Sequence, residues 1–319
     1  MSPDHCILKI VNSLLGPGQA FAGYPGCGML SPMKIAYLIL AHAQPQQLGR
    51  LAARLAAPGV WLYLHIDANT PPETYAAMQA AVANASAPAT WIARQPCRWG
   101  GFSLVDATLH LMQAALNDGC DWQILLSGQD YPLQPHDAIV AKLAQSGAAG
   151  FIDLRSLVQF DVRYRYEAFH CERLNGKPVG RWLQKLQRIL NRLGLRRRLP
   201  HPLREVHAGS QWWMLSSAAC RWLLDFCAAY PQVLRFFRRT LVPDEMFFQT
   251  LLWHSAFVEQ LVRDPLRLIE WQEGAWSPRT FSEADLPQLL ASPALFARKF
   301  APDGKIAALL DAAHGSPPC

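Results

Sequence analysis

Residues Lys34–Ala41, KIAYLILA, form an unbroken apolar run of strand length, and Gln46–Ala57 follow with leucines and alanines at helical spacing. Val60–Ile66 (VWLYLHI) predicts a second strand, Ala89–Ala93 a weaker third, and Trp122–Leu126 (WQILL) another buried one. Leu104–Leu116 places its apolar residues on one face and predicts a helix. Strands that are apolar throughout, alternating with helices, predict an α/β fold with a mostly parallel central sheet flanked by helices.

Sheets of this kind hold ligands beyond the carboxyl ends of their strands. The polar clusters fall there: His42 after the first strand, His65-Ile66-Asp67 closing the second, and Ser127-Gly128-Gln129-Asp130 after Leu126. Beyond about Phe151 the pattern changes to charged, aromatic-rich segments (QFDVRYRYEAFH), a basic helix, an apolar strand at Trp212–Leu215, and helices near Ala218–Ala229 and Glu245–Ser255. Neither an internal repeat nor a low-complexity linker separates these parts. The expected division is a loose extension over 1–32, an α/β half over 33–150, a second half over 151–300 packed on it, and a tail over 301–319. The cleft between the halves is the default site.

Composition narrows the class. With 51% hydrophobic and 10% aromatic residues in 319, the chain can bury a real core. No apolar run reaches the roughly 18 residues of a membrane span, so a soluble or peripheral protein is expected. The eight cysteines are scattered without a C-x-x-C pair or a ligand spacing, which points to reduced thiols, a cytoplasmic location and no metal site. Much of the net charge of +6 sits between Arg181 and Arg204, where no acidic residue intervenes. That stretch suits a phosphate-rich ligand or an anionic membrane face, and equally a solvated helix followed by a basic loop.

Four segments carry candidate chemistry. Gly209-Ser210-Gln211-Trp212-Trp213 joins flexible backbone to a hydroxyl, an amide and two aromatic faces, which suits sugar rings; paired tryptophans also bury themselves in cores. Trp99-Gly100-Gly101 reads the same two ways, its glycines serving a ligand or only a tight turn. In Val242-Pro243-Asp244-Glu245 the proline stops one element, Asp244 is placed to cap the next, and Glu245 falls in its first turn. Glu245 is then either a carboxylate set against the helix dipole or a general base. Arg279, Arg298 and Lys299, near the last helices, are cations able to meet a diphosphate or simply surface charges. The phosphate-loop, dinucleotide, H-E-x-x-H and G-x-S-x-G patterns are all missing.

Taken in order, YLILAH, LHIDAN, WGGFSLVDATLHLMQAAL, LLSGQDYPL, GSQWWMLS, VPDEMFFQTLL and LFARKF resemble glycosyltransferase family 14, from about Met33 to Phe300. That family includes the core-2 and I-branching β-1,6-N-acetylglucosaminyltransferases and the peptide O-xylosyltransferases. SPRTF and FARKF make the C-terminal half look more like the xylosyltransferases. The resemblance implies a GT-A-type fold and an inverting, metal-independent transfer of xylose or N-acetylglucosamine from a UDP-sugar to a hydroxyl of a glycan, glycolipid or peptide, with no cofactor. No two aspartates here stand in the Asp-x-Asp spacing that usually holds Mn²⁺ or Mg²⁺ in this architecture; Glu283-Ala284-Asp285 looks like a helix turn capped by Ser282.

Carried onto this sequence, the resemblance makes Glu245 the catalytic base, with Glu167 in reserve as base or acceptor contact. Lys299 contacts the UDP diphosphate, and so does Arg279, whose spacing to Asp285 is shorter than the family's. His42, His65, Asp67, Ser127, Gly128 and Asp130 line the donor side; Ser210, Gln211, Trp212, Trp213 and Trp271 shape the acceptor side. The membrane anchor, stem and cysteine framework of the animal enzymes have no counterpart, which fits a bacterial-type cytoplasmic enzyme, with peripheral membrane contact through 181–204. The other readings are an inactive sugar- or nucleotide-binding relative and a basic protein binding nucleic acid or a membrane surface.

Overall fold

The computed structural model describes residues 33–315, apart from 86–87, 175–176 and 276. The expected extension 1–32 and residues 316–319 lie outside the described residues. β1 (Ile35–Ala41), β2 (Val60–Ile66), β3 (Ala89–Trp91) and β4 (Trp122–Ser127) fall on the predicted runs and lie parallel, in the order β4-β1-β2-β3. Short β5 (Asp130–Pro132) leaves this sheet. β6 (Gly150–Ile152), β9 (Trp213–Ser216) and β10 (Leu261–Val262) extend it beyond β4 to seven strands, with β9 antiparallel to both neighbours. The halves expected on either side of residue 150 therefore share one sheet and one compact unit.

Alternation along β1 explains its unbroken apolar sequence. Ile35, Tyr37 and Ile39 join one core with Leu48, Leu51 and Leu55 of α1 (Pro45–Leu55) and Met78 and Val82 of α2 (Pro72–Ala83). Ala36, Leu38 and Leu40 join the other, with Val105, Leu111 and Met112 of α3 (Ser103–Asn117). Both faces are covered, so neither needs polar positions. The chain runs outward through β1, β2 and β3, then returns by α3 to place β4 on the other side of β1. A crevice opens where strand order reverses, at the carboxyl ends of β1 and β4.

The remaining helices are α4 (His136–Gln145), α5 (Arg163–Tyr166), α6 (Pro178–Arg192), α7 (Ser217–Ala229), α8 (Pro231–Phe237), α9 (Phe247–Trp253), α10 (Leu286–Ala291) and α11 (Lys305–Ala313). β7 (Arg155–Ser156) pairs with β8 (His207–Ala208). A second sheet sets β12 (Phe296–Arg298) between β11 (Arg267–Ile269) and β5, with Arg298 opposite Asp130. This pairing carries the C-terminal FARKF run onto the segment that follows β4.

Two local expectations change. The helix expected from Glu245 onward is broken: Pro243–Glu245 forms a 3₁₀ turn, Met246 leaves helical geometry, and α9 starts at Phe247. Asp244 sits inside that turn, buried, and caps nothing. The expected tail also joins the core. Ile306, Ala307 and Leu310 of α11 are buried, and Asp311 accepts a hydrogen bond from Tyr131 (2.7 Å) and pairs with Arg54 (3.1 Å). The turn over Glu283–Asp285 does have its capping box, with Ser282 and Asp285 bonding reciprocally.

Candidate active site

A cavity of about 950 Å³ lies over the carboxyl ends of β1, β2 and β4. His42, His65, Asp67, Ser127 and Gly128 line it from the first half, and Ser210, Gln211, Trp212, Glu245, Trp271, Arg298 and Lys299 from the second. The volume is at the upper end for small-molecule sites.

Its first wall is built by short loops. His65 is buried and accepts a hydrogen bond at Nε2 from the Gln95 backbone (3.2 Å). Burial lowers its pKa, against a smaller opposing effect of Asp67, so the imidazole is held neutral. Asp67 gathers its loop through the backbone N–H groups of Asn69 (2.9 Å) and Cys97 (3.0 Å), and Arg94 ties down the carbonyls of Asp67 and Thr70. A Cβ on Gly128 would stand 2.9 Å from that of Ala41, so only glycine lets β1 and the turn after β4 approach this closely. His42 is exposed at the rim.

The floor is ionic. Asp130 is fully buried and accepts from the Ser127 backbone (3.2 Å), the Ser127 hydroxyl (2.8 Å), Arg267 (2.5 Å) and Arg298 (2.9 Å). Arg267 also donates to the Leu125 carbonyl, and both guanidiniums lie over the Trp212 ring. Asp130 thus lies beneath the cavity as the anchor of two arginines, and Trp212 packs on those arginines with only a narrow edge exposed. Beyond Arg298, Lys299 lines the cavity with no carboxylate in ion-pair distance among the described residues. Burial, and then the neighbouring Arg298, lower its pKa.

The second wall carries the carboxylates. Val242 has φ 50° and ψ 54°, a left-handed conformation rare for a β-branched residue. Its N–H bonds the Gly100 carbonyl (2.9 Å), so the Trp99-Gly100-Gly101 turn, with Gly100 at φ +73°, butts against the 3₁₀ turn bearing Asp244 and Glu245. Glu245 is a third exposed, and Arg165 donates to its Oε2 at 2.7 Å. Asp244 is buried beside it with Oδ1 unpartnered among the described residues; burial first, then the charge of Glu245, push its carboxyl up to about 7. Below, the Gly209 N–H bonds the Glu245 carbonyl (3.0 Å), and Asp153 and Gln249 hold Ser210. A side chain on Gly209 would run into the Asp153 carbonyl.

Four expected site residues do not reach the cavity: Asp130, which lies beneath it, and Trp213, Arg279 and Glu167. Trp213 points through the opposite face of β9, fully buried against Phe248, because successive strand residues alternate. Arg279 is held by Asp285 (2.8 Å) and by Glu270, which keep it protonated above its usual range while it holds Asp285 below the usual carboxylate range. Glu167 pairs with Arg196 at 3.4 Å; from the same short segment it is Arg165 that lines the cavity. Sequence reasoning missed Asp153, Arg165, Asp244 and Arg267. Only RYRY, two arginines between aromatics, offered a signal.

Fold and site together define an α/β protein with a large cleft at its strand-order switch, lined by carboxylates and by cations. The chain belongs to the Core-2/I-Branching enzyme family, whose model matches residues 35–290. It is 26% identical to a xylosyltransferase of Ciona intestinalis over 296 residues, 85% of this chain and 32% of that one. It is 28% identical to the xylosyltransferase 2 of Homo sapiens over 326 residues, 93% of this chain and 35% of that one. The chain thus spans about a third of the length of these curated relatives. A solved Bacillus anthracis structure, described as a glucose-1-phosphate thymidylyltransferase, resembles it with a TM-score of 0.28 and 11% identity over 60% of this chain and 75% of its own, too weakly to inform the fold.

Proposed function

We propose that the protein transfers a sugar, xylose or N-acetylglucosamine, from a UDP-sugar to an acceptor hydroxyl with inversion and without a metal ion. The observation that carries this reading is that Glu245 and the Arg298–Lys299 pair line one cavity at the switch point of the sheet. Glu245 takes the acceptor proton as the acceptor oxygen bonds to C1, and the bond from C1 to the β-phosphate oxygen breaks. UDP departs with the electron pair, its charge met by Lys299 and Arg298. A single displacement inverts C1. Arg165 fixes one carboxylate oxygen of Glu245, and no hydrogen bond among the described residues occupies the other. Trp271, 60% exposed at the rim, offers a flat face to an acceptor sugar ring.

The metal-free part of the reading draws on the missing Asp-x-Asp pair and on Asp130, whose oxygens are already taken by four donors. The test is UDP release from UDP-xylose and UDP-N-acetylglucosamine by wild type and Glu245→Gln. The variant should bind UDP normally and lose at least about a hundredfold in turnover. If it keeps its rate while Glu167→Gln loses it, Glu245 is not the base. An inactive relative would bind UDP-sugar and release none.

A further inference from the structure

Helix α6 divides its surface into three lengthwise strips. Gly180, Gln184, Gln187 and Asn191, at three- and four-residue spacing, form the buried and half-buried strip. Gly180 passes so close to the Leu174 carbonyl that a Cβ would not fit. Val179, Trp182, Leu183, Leu186, Ile189 and Leu193 recur at the same spacing on a second strip, and every one is exposed, Trp182 by 62%. Arg181, Lys185, Arg188 and Arg192 make the third, with no carboxylate in ion-pair distance among the described residues. No acidic residue stands in the sequence between Glu172 and Glu205.

This arrangement reverses the usual one. A helix lying on its own protein buries its apolar strip and shows its amides to water. Here the amides face inward and six large apolar side chains face out, bordered by cations, a pattern suited to the boundary between lipid headgroups and acyl chains. We propose that α6 docks the protein on an anionic lipid bilayer, with the strip around Trp182 and Ile189 entering the headgroup boundary and the four cations meeting lipid phosphates. Charge selects this occupant. A second copy of the chain would cover the apolar strip but set four cations against four cations, and a nucleic acid would satisfy the cations and leave the apolar strip in water. Arg196 and Arg197 stay out of the docking face: the first pairs with Glu167, the second donates to the carbonyls of Ala168, Phe236 and Arg239.

The test is flotation of the full chain with vesicles of phosphatidylcholine, with and without phosphatidylglycerol, and needs no transferase activity. The wild type should float only with phosphatidylglycerol. At about fivefold in partitioning per cation, Arg181→Gln/Lys185→Gln/Arg188→Gln/Arg192→Gln should lose at least about a hundredfold. Trp182→Ser/Ile189→Ser should lose at least about tenfold at the same salt. Because all six side chains are exposed, both variants should keep the wild-type unfolding midpoint. Absence of flotation by the wild type overturns the proposal, as does flotation that neither variant weakens. So does retention of a DNA duplex without vesicle binding, or a dimer that Ile189→Glu dissolves.

Discussion

Asp244→Asn tests the site through stability alone. The carboxyl is 7% exposed, its Oδ1 lacks a partner among the described residues, and its pKa rises from 3.8 to about 7. In the unfolded chain the proton leaves near pH 3.8; in the folded one it stays until near neutrality. Between those two pH values the folded state binds more protons, so this residue makes stability fall as pH rises, with the loss complete above the folded pKa. Three pH units at about 1.4 kcal/mol each set an upper bound of roughly 4 kcal/mol, reduced in practice by relaxation around the buried charge. Asparagine is nearly isosteric and carries no charge. The variant should therefore gain stability relative to wild type between pH 4 and pH 8, by about 2–4 kcal/mol on this linkage. Urea unfolding of both proteins at the two pH values reads this directly as a change in the difference of their midpoints. A difference that is the same at both values would mean that Asp244 is ionised throughout and that its burial carries no penalty.

Other outcomes follow from the same geometry. Lys299→Ala should weaken UDP binding in calorimetry and slow turnover, each by about tenfold or more, and Lys299→Arg should restore only part because the head groups differ in shape and hydration. Turnover in excess EDTA should equal that in Mn²⁺, and restoration of a lost rate by Mn²⁺ would overturn the metal-free reading. Trp213→Ala should cost about 3–5 kcal/mol in urea unfolding, as removal of a fully buried aromatic, with UDP affinity kept where the fold survives.

The central sheet was legible because β1, β2 and β4 are apolar on both faces, a signal that needs no tertiary knowledge. β3 was weaker, and α2 was not anticipated: it buries only Met78 and Val82, and its alanine-rich sequence shows no clear apolar face. Alternation could say that Trp212 and Trp213 face opposite ways, but not which faces the cavity. The 3₁₀ turn at Pro243–Glu245 was hidden because a proline followed by two acids and an apolar run also begins an ordinary helix. Arg279 looked like a free cation because Asp285 and Glu270 reach it only through the folding of the loop between them. Arg267 had no signal, since a buried arginine is made tolerable only by a partner 137 positions away.

That partner also bears on how the cleft manages charge. Arg267 is fully buried, and a buried guanidinium persists only where an anion and hydrogen-bond acceptors meet it; Asp130 and the Leu125 carbonyl do so. The same carboxylate holds Arg298, so one negative charge lies under two positive ones, and Lys299 adds a third at the cavity surface. The local sum is positive before any ligand arrives. A divalent cation at Asp130 would have to displace an arginine from a buried pair and leave it uncompensated, whereas a diphosphate would meet donors already fixed by the β5 to β12 pairing. That register sets Arg298 opposite Asp130 and brings it, with the Lys299 that follows, to the cavity although the two lie far along the sequence from β1 and β4.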